Sequence, residues 1–92
     1  MAQTLESKVE RTACAKAKKL GWLNFKFESS SCNGVPDRLL IRGGRVVFIE
    51  FKAPGKKAEP LQLAIHNIMR QHGAEVHVCD NVEDALEILN GN

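Results

Sequence analysis

Two adjacent glycines, Gly43 and Gly44, separate the apolar stretch Leu39-Leu40-Ile41 from the longer stretch Val46 to Ile49. A two-residue glycine connection between such stretches is a strong β-hairpin signal, because the tight turns that match strand twist need positive φ. The hairpin also fixes a register. If Gly43-Gly44 is the whole loop, Arg42 pairs with Arg45, and counting outward places Asp37 directly opposite Glu50. The second arm, Arg45 to Phe51, reads Arg-Val-Val-Phe-Ile-Glu-Phe, nearly continuous in apolar residues. That is the pattern of a central strand buried on both faces.

The remaining elements fall around this hairpin. Leu5, Val9, Ala13, Ala17 and Leu20 recur at helical spacing and stop at Gly21, so residues 5–20 are expected to form an amphipathic helix. Thr4 or Ser7 is available as its cap, and Ser7 with Glu10 fits a capping box. Leu23, Phe25 and Phe27 alternate with Asn24, Lys26 and Glu28, the signature of a half-buried strand. Ser29 to Gly34 reads as a loop. Pro60 suits a first helical turn, and Leu61, Ala64, Ile65, Ile68 and Met69 mark one face of a helix ending at Gly73. Val76 and Val78 suggest a fourth strand. Asn81 can cap a last short helix carrying Val82, Ala85, Leu86 and Leu89. The order αβββαβα implies one compact α/β domain over 1–92 with a mixed central sheet.

The 92 residues suffice for one domain and bury a modest core, which makes added stability from a partner subunit reasonable. Hydrophobic residues at 43% and charged residues at 26% are ordinary globular values and exclude a disordered chain. No apolar run is long enough to span a bilayer, and the charged N-terminal stretch does not read as a secretory signal. A cytoplasmic location is the expectation. Cys14, Cys32 and Cys79 form no Cys-x-x-Cys pair, and His66, His72 and His77 complete no zinc pattern, so the cysteines read as free thiols. The net charge of +2 says little, but Lys16, Lys18 and Lys19 cluster, as do Lys56 and Lys57.

The hairpin register carries the chemistry. Directly opposed side chains lie roughly 5 Å apart at Cβ, and like charges there are destabilising. Burial of Glu50 adds to the cost. A divalent cation between the carboxylates of Asp37 and Glu50 removes the conflict, and hard cations such as Mg²⁺ prefer such oxygen ligands. Lys52 shares the strand face of Glu50, which sets an ammonium beside that cation, able to orient or deprotonate a water or to stabilise charge on a phosphate. These are the requirements of phosphodiester hydrolysis. The plainer alternative is a strand-end ion pair of Glu50 and Lys52, with Asp37 opening a turn after Pro36.

Pro36-Asp37, followed by Glu50-Phe51-Lys52 after an apolar strand, resembles the PD-(D/E)XK nuclease superfamily. More closely, Gly34-Val35-Pro36-Asp37-Arg38, then Phe48-Ile49-Glu50-Phe51-Lys52-Ala53-Pro54-Gly55, then Leu61-Gln62, is similar to the VRR-NUC family, over nearly the whole chain. The resemblance implies that Asp37 and Glu50 are metal carboxylates, that the Phe51 backbone carbonyl is a further metal ligand, that Lys52 is the catalytic lysine, and that Gln62 positions site groups. It further implies a first-helix glutamate in the metal site, for which Glu10 is favoured over Glu6. The metal implied is Mg²⁺, with Mn²⁺ able to substitute.

The resemblance also suggests a structure-selective DNA endonuclease of the Holliday-junction-resolving kind. One domain carries one site, so symmetric cleavage of a four-way junction needs a two-fold homodimer. No membrane or small-molecule substrate is expected. No base-reading motif is visible, and the few aromatics lie mostly at strand positions suited to a core, so recognition by backbone charge and shape is expected. Lys56, Lys57, Arg38, Lys19 and Ser30 are the candidate backbone contacts, with Lys16, Lys18 and Arg70 behind them. Two other readings use the same fold: a non-catalytic DNA-binding or assembly module, and a sequence-specific restriction-type enzyme, for which no recognition element is evident.

Overall fold

The structure, a computed structural model, describes residues 4–91. Seven elements follow in order: α1 (Leu5–Lys19), β1 (Leu23–Lys26), β2 (Arg38–Arg42), β3 (Arg45–Phe51), α2 (Pro60–Gln71), β4 (Glu75–Cys79) and α3 (Val82–Asn90). The strands form one sheet in the order β1-β2-β3-β4, with β1, β2 and β3 antiparallel and β4 parallel to β3. The αβββαβα order and mixed sheet read from the sequence are those of the folded chain.

The hairpin forms with the expected register. Arg42 pairs with Arg45 and Arg38 with Ile49, which continues to Asp37 opposite Glu50. Gly43 and Gly44 both have positive φ, 57° and 84°, as a type I′ turn requires. Thr4, rather than Ser7, caps α1, its side chain accepting from the Ser7 N–H. Ser7 lies inside the helix, and Glu10 is engaged elsewhere. Asn81 caps α3 by accepting from the Asp84 N–H.

Helices α1 and α3 cover one face of the sheet. Val9, Ala13 and Ala17 of α1 and Ala85 and Leu89 of α3 share a buried cluster with Leu40, Val47, Ile49, Phe51 and Trp22. Arg45 closes this layer. It pairs with Glu75 and donates to the carbonyls of Ile88, Leu89 and Gly91, satisfying the C-terminal end of α3 while lying over the Trp22 ring. Cys14 and Cys79 are buried free thiols and Cys32 is a half-buried one.

Helix α2 packs against β4 on the opposite face. There the pattern reading differs from the structure in three related ways. Strand β3 is interior, but Val46 is exposed and Phe48 half-buried, so this strand is covered on both faces only near Glu50. Strand β1 turns Asn24 and Lys26, not its apolar residues, toward α1, where they meet the Cys14 carbonyl and Glu10. Leu23 and Phe25 therefore face outward. On α2, Leu61, Ala64 and Ile68 are exposed, and the fully buried residue is His66. No helix of the described residues is long and apolar enough to cross a membrane.

Candidate active site

Asp37 immediately precedes β2 and is held from two sides. Its carbonyl accepts from the Phe27 N–H at 2.7 Å, and its Oδ2 accepts from the Phe51 N–H at 3.0 Å. Pro36, immediately before it, is fully buried and restricts the backbone there. Its carboxylate thus extends the β2–β3 ladder by one rung and has little freedom left. Burial raises its pKa, and the Phe51 N–H only partly offsets that.

Glu50 points away from the α1–α3 core because Ile49 and Phe51, its neighbours on β3, fill that core. It is 2% exposed. Its Oε2 accepts from Gln62 Nε2 at 3.0 Å and lies 3.5 Å from Lys52 Nζ. Its Oε1 is buried with no hydrogen-bond partner among the described residues. Burial first, and then the charge of Asp37, push its pKa up to about 7, against the pull of Lys52. A buried carboxylate half satisfied, beside a second acid that burial also raises, is an arrangement short of positive charge.

Gln62 is oriented by the helix it begins. It is the third residue of α2, and its Oε1 accepts from the Glu59 N–H at 2.8 Å. That contact fixes which end of the amide faces Glu50, so the Nε2 donates. The spacing Glu59-Pro60-Leu61-Gln62 is itself a helix-start signal that could have revealed this second duty. Gly34 ties the motif loop to the same helix. With φ of +93°, it comes so near α2 that a Cβ would stand 3.0 Å from Ile65 Cγ1 and 3.1 Å from the Leu61 carbonyl. Asp37 and Gln62 are therefore positioned by elements in direct contact.

Not every expected residue joins this group. Glu10 does not: its Oε2 accepts from Lys26 Nζ at 2.8 Å and Arg38 Nε at 2.6 Å. Burial alone would raise its pKa, but those two hydrogen bonds outweigh burial and hold it below the usual range. Among the described residues, no three His, Cys, Asp or Glu side chains gather closely enough to hold an ion together. The expected set of Glu10, Asp37 and Glu50 is thus not assembled, because α1 presents Glu10 to the polar side of β1 and β2. Both first-helix glutamates still act on the acidic pair through space: the charge of Glu6 reaches Glu50 and that of Glu10 reaches Asp37.

Arg38 is likewise committed, to Glu10 and to Asn24 Oδ1. Lys19 lies on α1 about 13 Å from Glu10, taking nine residues at 1.5 Å each, beside a shallow hollow lined by Arg11, Thr12, Ala15 and Lys16. Ser30 is exposed in the loop before Asp37. Lys56 and Lys57 are exposed on the loop that follows Lys52, and that loop is fastened to the end of β4 by the Gly55 N–H donating to Asp80 Oδ2 at 2.9 Å. The sequence reading missed this tether, which has no local signal because its partners lie on different elements.

An acid leading into the second strand, with acid-x-lysine closing the third, is how the PD-(D/E)XK nuclease fold presents its site, and this domain is of that class. No family model matches the chain. Its structure is similar to a solved VRR_NUC domain with a TM-score of 0.85 and 29% sequence identity, covering 95% of this chain and 96% of that one. The protein named "Putative nuclease p44" from Acyrthosiphon pisum secondary endosymbiont phage 1 is 38% identical over 85 residues, which is 91% of this chain and 90% of that protein. The chain belongs to the VRR-NUC nuclease family.

Proposed function

We propose that this nuclease is a metal-dependent, structure-selective DNA endonuclease of the Holliday-junction-resolving type, working as a homodimer. The observation that carries the metal is the buried, unpartnered Oε1 of Glu50 beside Asp37. Asp37, Glu50 and the Phe51 carbonyl would hold Mg²⁺, or Mn²⁺ in its place, with water in the remaining positions, as Mg²⁺ tolerates. When bound, the ion supplies Lewis acidity toward a phosphoryl oxygen and lowers the pKa of a bound water.

The chain's own groups do the rest. Lys52 Nζ, 3.5 Å from Glu50 Oε2, sits where it can orient a water or neutralise charge developing on the phosphate. Gln62 keeps Glu50 in one rotamer through its hydrogen bond and is itself held by the start of α2. Lys56 and Lys57 contact the DNA backbone beside Lys52, and their effect weakens with salt. Arg38, Lys19 and Ser30 are secondary contacts at best, given where their side chains lie.

The test incubates the protein with labelled four-way junction, splayed-arm, single-stranded and linear duplex DNA, each with Mg²⁺, Mn²⁺ or EDTA, beside Lys52→Ala and Asp37→Asn. The expected result is metal-dependent cutting of the junction by wild type, with binding but no cutting by either variant. Junction binding without cutting by wild type would make the chain a non-catalytic module. Cutting of linear duplex at one fixed sequence would make it a restriction-type enzyme.

A further inference from the structure

Strand β1 wears its polarity inside out. Its polar residues meet α1 while Leu23 and Phe25 look outward. The register puts Leu39 and Ile41 of β2 and Val46 and Phe48 of β3 on that same outward face. No residue of this set is charged. Phe27 extends it through an edge-to-face contact with Phe48, centroids 5.2 Å apart. Helix α2 stands at one side as a wall. Gly34 of the β1–β2 connection approaches the Ile65 side chain and the Leu61 backbone, and Leu61 and Ile68, four before and three after Ile65, share its stripe of α2.

Leu23, Phe25, Val46, Leu61 and Ile68 are each 44–53% exposed. Together these five side chains expose on the order of 450 Å² of apolar surface, the size of the largest patch on an ordinary monomer, which is often functional. That is more than half of the ~800 Å² each partner gives to a standard interface, before the half-buried Phe27, Leu39, Ile41 and Phe48 are added. The β1–β3 part of the sheet carries a helical layer, α1 with α3, on one face, and among the described residues its outward face is left open beside α2.

We infer that this face, the outward side of β1–β3 with the Leu61–Ile68 stripe of α2, is where a second copy of the chain docks. The face carries its own complement: a floor of strand side chains and a ridge of helix side chains, so a two-fold axis seats each ridge on the opposite floor. Its lack of charge is unsuited to the DNA backbone, which is drawn to Lys and Arg. The face also runs along β3 to Glu50, so the docked copies carry both sites on one continuous surface. The inference rests on the homodimer in the proposed function and names its interface.

The test measures molar mass by light scattering across a concentration series for wild type, Phe25→Lys/Val46→Glu and Leu63→Glu, with circular dichroism and thermal melts to confirm folding. Leu63 is an equally exposed apolar residue beside Lys56, Lys57 and Val78, off the proposed face. The expected result is a dimer of the 10.2 kDa chain for wild type and Leu63→Glu. The double variant is expected to be a folded monomer with at least a hundredfold weaker association. It should still nick single strands with Mg²⁺ but lose paired cuts on a junction. A folded double variant that remains dimeric overturns the interface and leaves the homodimer standing. A wild type that is monomeric while cutting junctions symmetrically overturns both. Should the double variant unfold, Ile68→Lys, on the helix ridge alone, carries the same two outcomes.

Discussion

Replacing Glu50 by glutamine should stabilise the metal-free protein, by an amount that depends on pH. Glu50 titrates near 7 in the folded chain against 4.5 for an ordinary glutamate. Its folded pKa is raised, so the stability it contributes is fully present below 4.5 and is lost as pH rises through 7. At pH 8 the ionised carboxylate costs about 3 kcal/mol relative to a neutral group, taking 1.36 kcal/mol per pKa unit. At pH 4 the cost is close to zero. Glutamine keeps the shape and can still accept from Gln62, so it removes the charge with little else. Urea denaturation of wild type and Glu50→Gln in EDTA, at pH 8 and pH 4, should give a stability difference of about 2–3 kcal/mol that appears only at pH 8. Adding Mg²⁺ at pH 8 should raise the wild-type midpoint and leave the variant's unchanged. A variant less stable than wild type at pH 8 without metal would refute the reasoning, because the carboxylate would then be satisfied by the protein alone.

Three further outcomes follow from contacts described above. Gly34→Ala should cost about 2 kcal/mol in urea unfolding, since alanine must adopt positive φ and push its Cβ against Ile65 and the Leu61 carbonyl. Arg45→Ala should cost about 2–3 kcal/mol, and Arg45→Lys should recover little of it, because two α3 carbonyls, the Gly91 carbonyl just beyond them and a bidentate pair with Glu75 depend on the guanidinium fork. His66→Leu should stabilise the fold by about 1 kcal/mol at pH 8, because among the described residues neither buried ring nitrogen makes a well-formed hydrogen bond, and the approach to the Gly34 backbone is too poorly aligned to replace one. Burial lowers the pKa of His66, so the wild type loses stability as pH falls below 6.5 toward its folded value, and the gain of the leucine variant in thermal melts should grow from pH 8 to pH 5.

Much of this architecture was legible because its signals are local. Gly43-Gly44 fixed both the hairpin and the pairing of Asp37 with Glu50, and alternation placed Lys52 with Glu50. What escaped the pattern reading depends on contacts between distant segments. The alternation of Leu23, Phe25 and Phe27 says that β1 has an apolar side, but not which side the chain's own helices cover. Glu10 could have served a metal or an ion pair, and Lys26 and Arg38, remote in sequence, claim it. Gln62 was recognisable by resemblance, whereas its anchoring at the start of α2 became apparent only from the Glu59 contact. His66 interrupts the apolar face predicted for α2, and nothing in a helical repeat foretells that it is the buried residue.

The two acids of the site belong to one hairpin closed by a two-residue turn. Isolated hairpins form on the order of microseconds, and short loops are the first contacts a chain can afford entropically. The carboxylates therefore meet early, before the crossover through α2 can bring Gln62 to shield them. Their repulsion acts on the rate of folding more than on the rate of unfolding. The proposed divalent cation, or a lower pH, is then expected to raise the folding rate more than it lowers the unfolding rate, which stopped-flow refolding with and without Mg²⁺ measures.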